Sequence, residues 1–256
     1  RCLVGSEMCI RDRNNKKAPF DNVNVRKALN LSLDRNVITD KVLGQGQTPT
    51  YVFTPTYIEE GQLIQQPAYS KEPMAQRNEE AIKLLEEAGY SKANPLKFSI
   101  LYNTNENHKK VAIAAASMWK ANTKGLIDVK LENQEWKTYI DSRRAGRYDA
   151  ARAGWNADYN QATTFGNYFL SNSSNNTAKY ANPEYDKAIA ESYVATDAEG
   201  RAKAYAKAEE ILAKDFGIVP IFNYVNPRLV KPYVKGYSGK DPQDHIYLRN
   251  LYIIKH

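Results

Sequence analysis

Apolar residues recur along this chain with two periods, and the alternation between them predicts its architecture. In DNVNVRKALNLSLDRNVITDKVLGQG, Val25, Leu29, Leu31 and Leu33 give a first helix its apolar side. Asp34 is placed to cap a second helix over RNVITDKVL, and Gly44 to stop it. Residues 45 to 73 hold Pro49, Pro55, Pro67 and Pro73 and no helical period, so they read as a long loop, either a ligand-facing flap or plain surface. An amphipathic helix follows over 75 to 88, ended by Gly89. LKFSILYN, 96 to 103, alternates as a strand should. A helix within 106 to 122, a strand over 126 to 133, a short helix carrying Trp136 and a third strand, YDAARAGW, complete the regular part.

This exchange of helix and strand predicts an α/β lobe whose strands are covered by helices. Beyond it come a polar loop, SNSSNNTAKYANPEYD, helices over about 183 to 195 and 197 to 215, and a buried strand over 218 to 225. The pattern then changes. Residues 226 to 256 are turn-rich and end in HIYLRNLYII, an alternating stretch over 245 to 254 with no evident partner strand in the preceding lobe.

Composition narrows the classes. The chain has 256 residues, 42% hydrophobic and 25% charged, as ordinary globular proteins have. No apolar run reaches the roughly 20 residues that cross a bilayer. The net charge of +7 is spread along the chain and interleaved with acids, as in RAKAYAKAEEILAKD, whereas a nucleic-acid binder concentrates it on one face. Cys2 and Cys9 are the only cysteines, so the rest of the chain holds no internal disulfide or thiolate metal site. His108, His245 and His256 fit no metal motif, and no GxSxG elbow or phosphate-cradling glycine loop occurs. Neither catalysis, a metal nor a cofactor is expected. RCLVGSEMCIRDR lacks the apolar core of a signal peptide and resembles translated adaptor sequence, so residues 1–13 read as a non-native segment that is no part of the natural fold. On that reading the natural N-terminal part, with its targeting signal, is missing.

The stretch ARAGWNADYN, 151 to 160, carries the candidate chemistry. On a strand, Arg152, Gly154 and Asn156 face one way and Ala151, Ala153 and Trp155 the other. Gly154 leaves room for another backbone, and Asp158 arrives just past the strand end. Together these suggest a site that pairs with an extended ligand through its main chain, anchors a cation on a carboxylate and walls a pocket with Trp155. Spacing alone favours the plainer alternative, in which Arg152 and Asp158 pair with each other and Trp155 is in the core.

DNVNVRKALNLSLDRNVITDKVL resembles the VRKALxLAxDR helix of the family 5 solute-binding proteins of ABC importers. ARAGWNADYN, LENQEWKTYIDSRRAG and YVNPRLVKPYVKGYSGKDPQDHIYLRNLYIIKH are similar to its oligopeptide receptors, over residues 14 to 256 and only to their C-terminal half. The resemblance implies one lobe of a two-lobed periplasmic-binding-protein fold (type II): residues 14–225 as the C-terminal ligand-binding lobe and 226–256 as a crossover into the other. It also implies a periplasmic, monomeric, non-catalytic receptor that holds short peptides and docks on the membrane subunits of an ABC permease. Murein peptides, dipeptides, haem or nickel complexes are the alternative ligands within the family, and a cleft peptidase is a remoter reading.

By the same resemblance, Asp158 matches the carboxylate that holds the peptide α-ammonium, and Gly154 and Asn156 match positions whose main chain pairs with the ligand. Trp155 and Trp136 match pocket walls. Arg143, Arg152 and His108 match basic groups that serve ligand carboxylates or steady the site's charge, and Tyr224 and Asn103 match further lining positions. Asn156 stands where the receptors it resembles carry a bridged cysteine, so the 154–158 segment relies on packing and hydrogen bonds.

Overall fold

The computed structural model describes residues 8–13, as backbone, and residues 15–225, 228–238 and 245–255. Residues 1–7 of the N-terminal segment, residue 14, residues 226–227 and 239–244 of the expected crossover, and His256 lie outside the described residues.

The strands are β1 (Met8–Arg13), β2 (Thr48–Pro49), β3 (Leu96–Asn103), β4 (Ile127–Gln134), β5 (Ala150–Ala153), β6 (Val219–Asn223), β7 (Val234–Lys235) and β8 (Tyr252–Ile253). The helices are α1 (Val23–Leu31), α2 (Arg35–Val37, continued by a π-helical turn, Ile38–Leu43), α3 (Met74–Glu87), α4 (Glu106–Asn122), α5 (Trp136–Arg144), α6 (Thr163–Gly166), α7 (Pro183–Val194) and α8 (Ala198–Lys214). Local chemistry sets several ends as expected. The Asp34 carboxylate accepts from Val37 N at 3.1 Å, and Gly44 closes the π-turn at φ 63°.

Six strands form one sheet in the order β2-β6-β1-β5-β3-β4. β4, β3 and β5 run parallel, and β1 is antiparallel to both β5 and β6. The N-terminal segment set aside on sequence therefore supplies a central strand, with Ile10 opposite Ala153 and Arg11 opposite Arg152. A strand between two others is held through its main chain, which explains how a segment with no apolar alternation takes this place.

Small residues let both sheet faces pack closely. Ala150 joins a core built with α1, α3 and α4 around Leu29, Leu85, Ile100 and Trp119. Ala151 packs with Tyr139 and Tyr148 on one side, and Ala153 joins a third cluster with Phe53, Phe165 and Ile189. The Trp119 indole donates to Leu29 O at 2.9 Å, so the largest buried side chain keeps a partner for its polar atom.

The proline-rich loop is not a free flap. Residues 50–55 are buried, and Phe53 sits in a cluster of rings with Phe165, Tyr168 and Phe169. The carboxylate of Glu209 on α8 accepts from Phe53 N, Thr54 N and Thr54 Oγ1. Further along the loop, a Cβ on Gly61 would lie 2.6 Å from Pro55 O. Gly61→Ala is therefore expected to cost about 1–3 kcal/mol through local overpacking, read as a lower urea midpoint with an unchanged slope.

The C-terminal stretch departs from expectation. The strand predicted over 245–254 is broken by a 3-10 turn, Leu248–Asn250, and only Tyr252–Ile253 pairs, with Val234–Lys235 of the same tail. The two segments touch backbone to backbone at the turn: a Cβ at Gly236 would lie 1.7 Å from Asn250 O, so only glycine fits there.

Candidate functional site

β5 ends at Ala153, and the chain then leaves the sheet through Gly154, Trp155 and Asn156 to Asp158. Thr164 on α6 fixes this exit. Its hydroxyl accepts from Asp158 N at 3.0 Å and from the Trp155 indole at 3.4 Å, and donates to Asp158 Oδ2 at 3.2 Å. The aspartate is exposed, its backbone and one carboxylate oxygen are held, and among the described residues it forms no ion pair. The internal pairing of Arg152 with Asp158 that spacing allowed does not form.

Arg152 is almost fully buried and directs its guanidinium elsewhere, donating to the Tyr224 hydroxyl and lying 5.8 Å from the centre of that ring. The same hydroxyl lies 3.4 Å from His108 Nε2. Asn105 caps α4, accepting from His108 N at 3.1 Å, so the cap that starts the helix also positions the histidine. Tyr139 on α5 donates to Arg152 O, tying this backbone to the opposite layer. Arg152, Tyr224 and His108, from β5, the end of β6 and α4, thus form one chain of groups.

A second grouping surrounds a cavity of about 240 Å³ lined by Trp136, Arg143, Gly154 and Trp155, with Arg144 and Tyr168. Trp136 is 58% exposed, as a wall facing open space would be. Trp155 meets Tyr168 edge to face at 5.0 Å, and Arg143 Nη2 donates to Tyr168 Oη at 3.1 Å and Thr177 Oγ1 at 3.0 Å. A fixed guanidinium beside two indoles can take a carboxylate or stack on an unsaturated group.

The structure gathers most of the expected residues around one exit from the sheet. Asn156 is exposed there. Asn103 is buried at the end of β3, with Oδ1 unpartnered among the described residues, and is not among the residues lining the 240 Å³ cavity. Thr164, Tyr168 and Arg144 escaped sequence reasoning. A threonine on a helix of four residues carries no motif, and its role appears only when that helix folds against the strand exit. No group of three or more His, Cys, Asp or Glu among the described residues is placed to hold a metal, and no described helix is long and apolar enough to cross a membrane.

The family model for bacterial extracellular solute-binding proteins, family 5, middle region, matches residues 10–177. The chain belongs to this family. It is 97% identical over 243 residues to a periplasmic oligopeptide-binding protein of Haemophilus influenzae, covering 95% of this chain and 45% of that protein. It is 44% identical over 243 residues to the periplasmic murein peptide-binding protein of Escherichia coli, covering 95% of this chain and 45% of that one. A crystal structure of the H. influenzae oligopeptide-binding protein in complex with the peptide RPPGFSPFR superposes with a TM-score of 0.91 at 92% identity, over 99% of this chain and 49% of that one. The chain therefore spans about half the length of the relatives it matches, and its α/β architecture is that of a lobe of these two-lobed proteins.

Proposed function

We propose that this chain is the peptide-gripping lobe of the substrate-binding receptor of an ABC-type oligopeptide importer, periplasmic in setting and without catalytic activity. The observation that carries the reading is Asp158: a carboxylate oriented by Thr164, with no cation partner among the described residues, at the open end of β5. A free peptide α-ammonium is the complementary charge. The main chain at Gly154 and Asn156 would continue the sheet into an extended ligand, which makes the grip blind to side-chain identity. Trp136, Trp155 and Arg143 would wall a side-chain pocket. The Arg152–Tyr224–His108 chain would meet ligand carboxylates, and Asn103 would line the site from β3.

The tail supports the division into a lobe over 14–225 and a crossover over 226–256. Leu229, Leu248, Tyr252 and Ile253 are largely exposed along a tail whose two short strands, β7 and β8, pair outside the main sheet. Such a surface suits burial against another lobe. Docking on the permease would follow closure of the two lobes around the peptide.

Calorimetry of this chain with trialanine and with N-acetyl-trialanine tests the reading. Binding of the free peptide is expected to be weak, Kd about 0.1–1 mM, because one lobe encloses only part of the ligand. Acetylation is expected to weaken it by about fivefold, the scale of an exposed ion pair. Equal affinities would refute the role given to Asp158.

A further inference from the structure

A second cavity, of about 390 Å³, opens among the 159–163 loop, the C-terminal part of α7 and the start of α8. Its volume falls within the range of roughly 300–1,000 Å³ typical of small-molecule sites. We propose that it binds a neutral polyhydroxylated ligand, a single sugar ring, through the exposed rings of Tyr159 and Tyr193 and the polar groups of Gln161, Asn167 and Arg201 between them.

Charge is the first argument. Arg201 is the only lining residue with a full charge, and its Nε donates to Glu60 Oε1. Glu60 is only 8% exposed. The cavity is therefore close to neutral, and a zwitterionic peptide placed there would leave both termini without counter-charges. Asp158 adjoins Tyr159 in the chain but is not among the lining residues of this cavity.

Surface chemistry is the second. Tyr159 is 45% exposed and Tyr193 58%, so two aromatic rings are open beside one cavity. A phenol ring offers an apolar face to the C–H face of a sugar and a polar tip to its hydroxyls. The Tyr193 hydroxyl meets Asn167 Oδ1 at 2.5 Å, and the Thr163 hydroxyl meets Gln161 Oε1 at 2.6 Å and Tyr205 Oη at 2.7 Å. In both carboxamides the oxygen is engaged, while the NH₂ groups have no partner among the described residues. Sugar hydroxyls both donate and accept, so they match this mixture of spare amide donors and phenol oxygens.

Construction is the third. Ala162 N donates to Glu59 O at 3.0 Å and Glu59 N to Asn160 Oδ1 at 3.4 Å, which clips the 159–163 loop to the segment carrying Glu60. Glu60 is held at φ 65°, the left-handed region that a non-glycine residue occupies only when its surroundings impose it. The neighbouring threonines divide the two sites: Thr164 serves Asp158, and Thr163 lines this cavity.

The test is saturation-transfer NMR of the chain with methyl β-glucoside as probe, followed by titration. A saturable response with Kd about 1–10 mM is expected. Tyr193→Ala, at an exposed position, should keep the wild-type thermal melt and weaken binding at least about tenfold. Saturating trialanine should leave the glucoside response unchanged. Absence of a saturable response, an undiminished response in Tyr193→Ala, or displacement by trialanine would each overturn the proposal.

Discussion

Glu209→Ala is expected to destabilise the chain by about 2–6 kcal/mol, because it strips the acceptor from two buried backbone N–H groups at about 1–3 kcal/mol each. The donors are Phe53 N at 3.0 Å and Thr54 N at 2.8 Å, with Thr54 Oγ1 at 2.5 Å beside them. Without that acceptor, the loop carrying Phe53 into its cluster of rings loses its tie to α8. Glu209→Gln should cost less, since one acceptor oxygen remains. The wild-type carboxyl has its own pH signature. Burial raises its pKa above the ordinary 4.5, and the hydrogen bonds from Thr54 and Phe53 only partly oppose this. Between 4.5 and that raised value, the folded state holds the proton and the unfolded state does not. The glutamate's contribution to stability therefore grows as pH falls through the window and shrinks as pH rises through it. Urea unfolding of wild type and Glu209→Gln across that window reads both effects. An alanine variant within about 0.5 kcal/mol of wild type would contradict the account.

Arg35→Met is expected to cost about 3–5 kcal/mol. The side chain is fully buried, and its guanidinium donates to the carbonyl oxygens of Thr50, Pro220, Asn30 and Leu33 and to Asn30 Oδ1, with no carboxylate among them. It also stacks on Tyr51 at 4.0 Å from the ring centre. Burial lowers its pKa, but a guanidinium keeps its charge at neutral pH. The loss on substitution comes from carbonyls left without donors and from the vanished stacking. Arg35→Lys should recover little, since three donors on one nitrogen cannot span a fork that reaches from α2 to β6. Chemical denaturation of the two variants checks this, and a lysine variant as stable as wild type would contradict it.

What was legible in the sequence was mostly local. The Asp34 cap, the Gly44 stop, the helix over 106–122 and the strand LKFSILYN follow from propensity and period, and they appear with boundaries within a residue or two. The pinned loop was not legible, because Glu209 is 156 residues from Phe53 and looks like any other acid on a charged helix. The place of β1 between β5 and β6 was not legible either, because main-chain pairing and not an apolar alternation in MCIRDR sets it. HIYLRNLYII alternates like one strand, but its middle is a 3-10 turn and only Tyr252–Ile253 pairs, within the same tail. For the site, the order Arg152, Gly154, Trp155, Asp158 was readable as a strand exit. The three-way hold of Thr164 and the turn of Arg152 toward Tyr224 arise from packing between elements far apart in sequence.

The most direct measurement compares trialanine and N-acetyl-trialanine on wild type and on Asp158→Asn. If the carboxylate at 158 grips the leading nitrogen, the wild-type preference of about fivefold for the free amine disappears in the variant, which binds both peptides alike. A variant that keeps the full preference would show that the amine is held elsewhere.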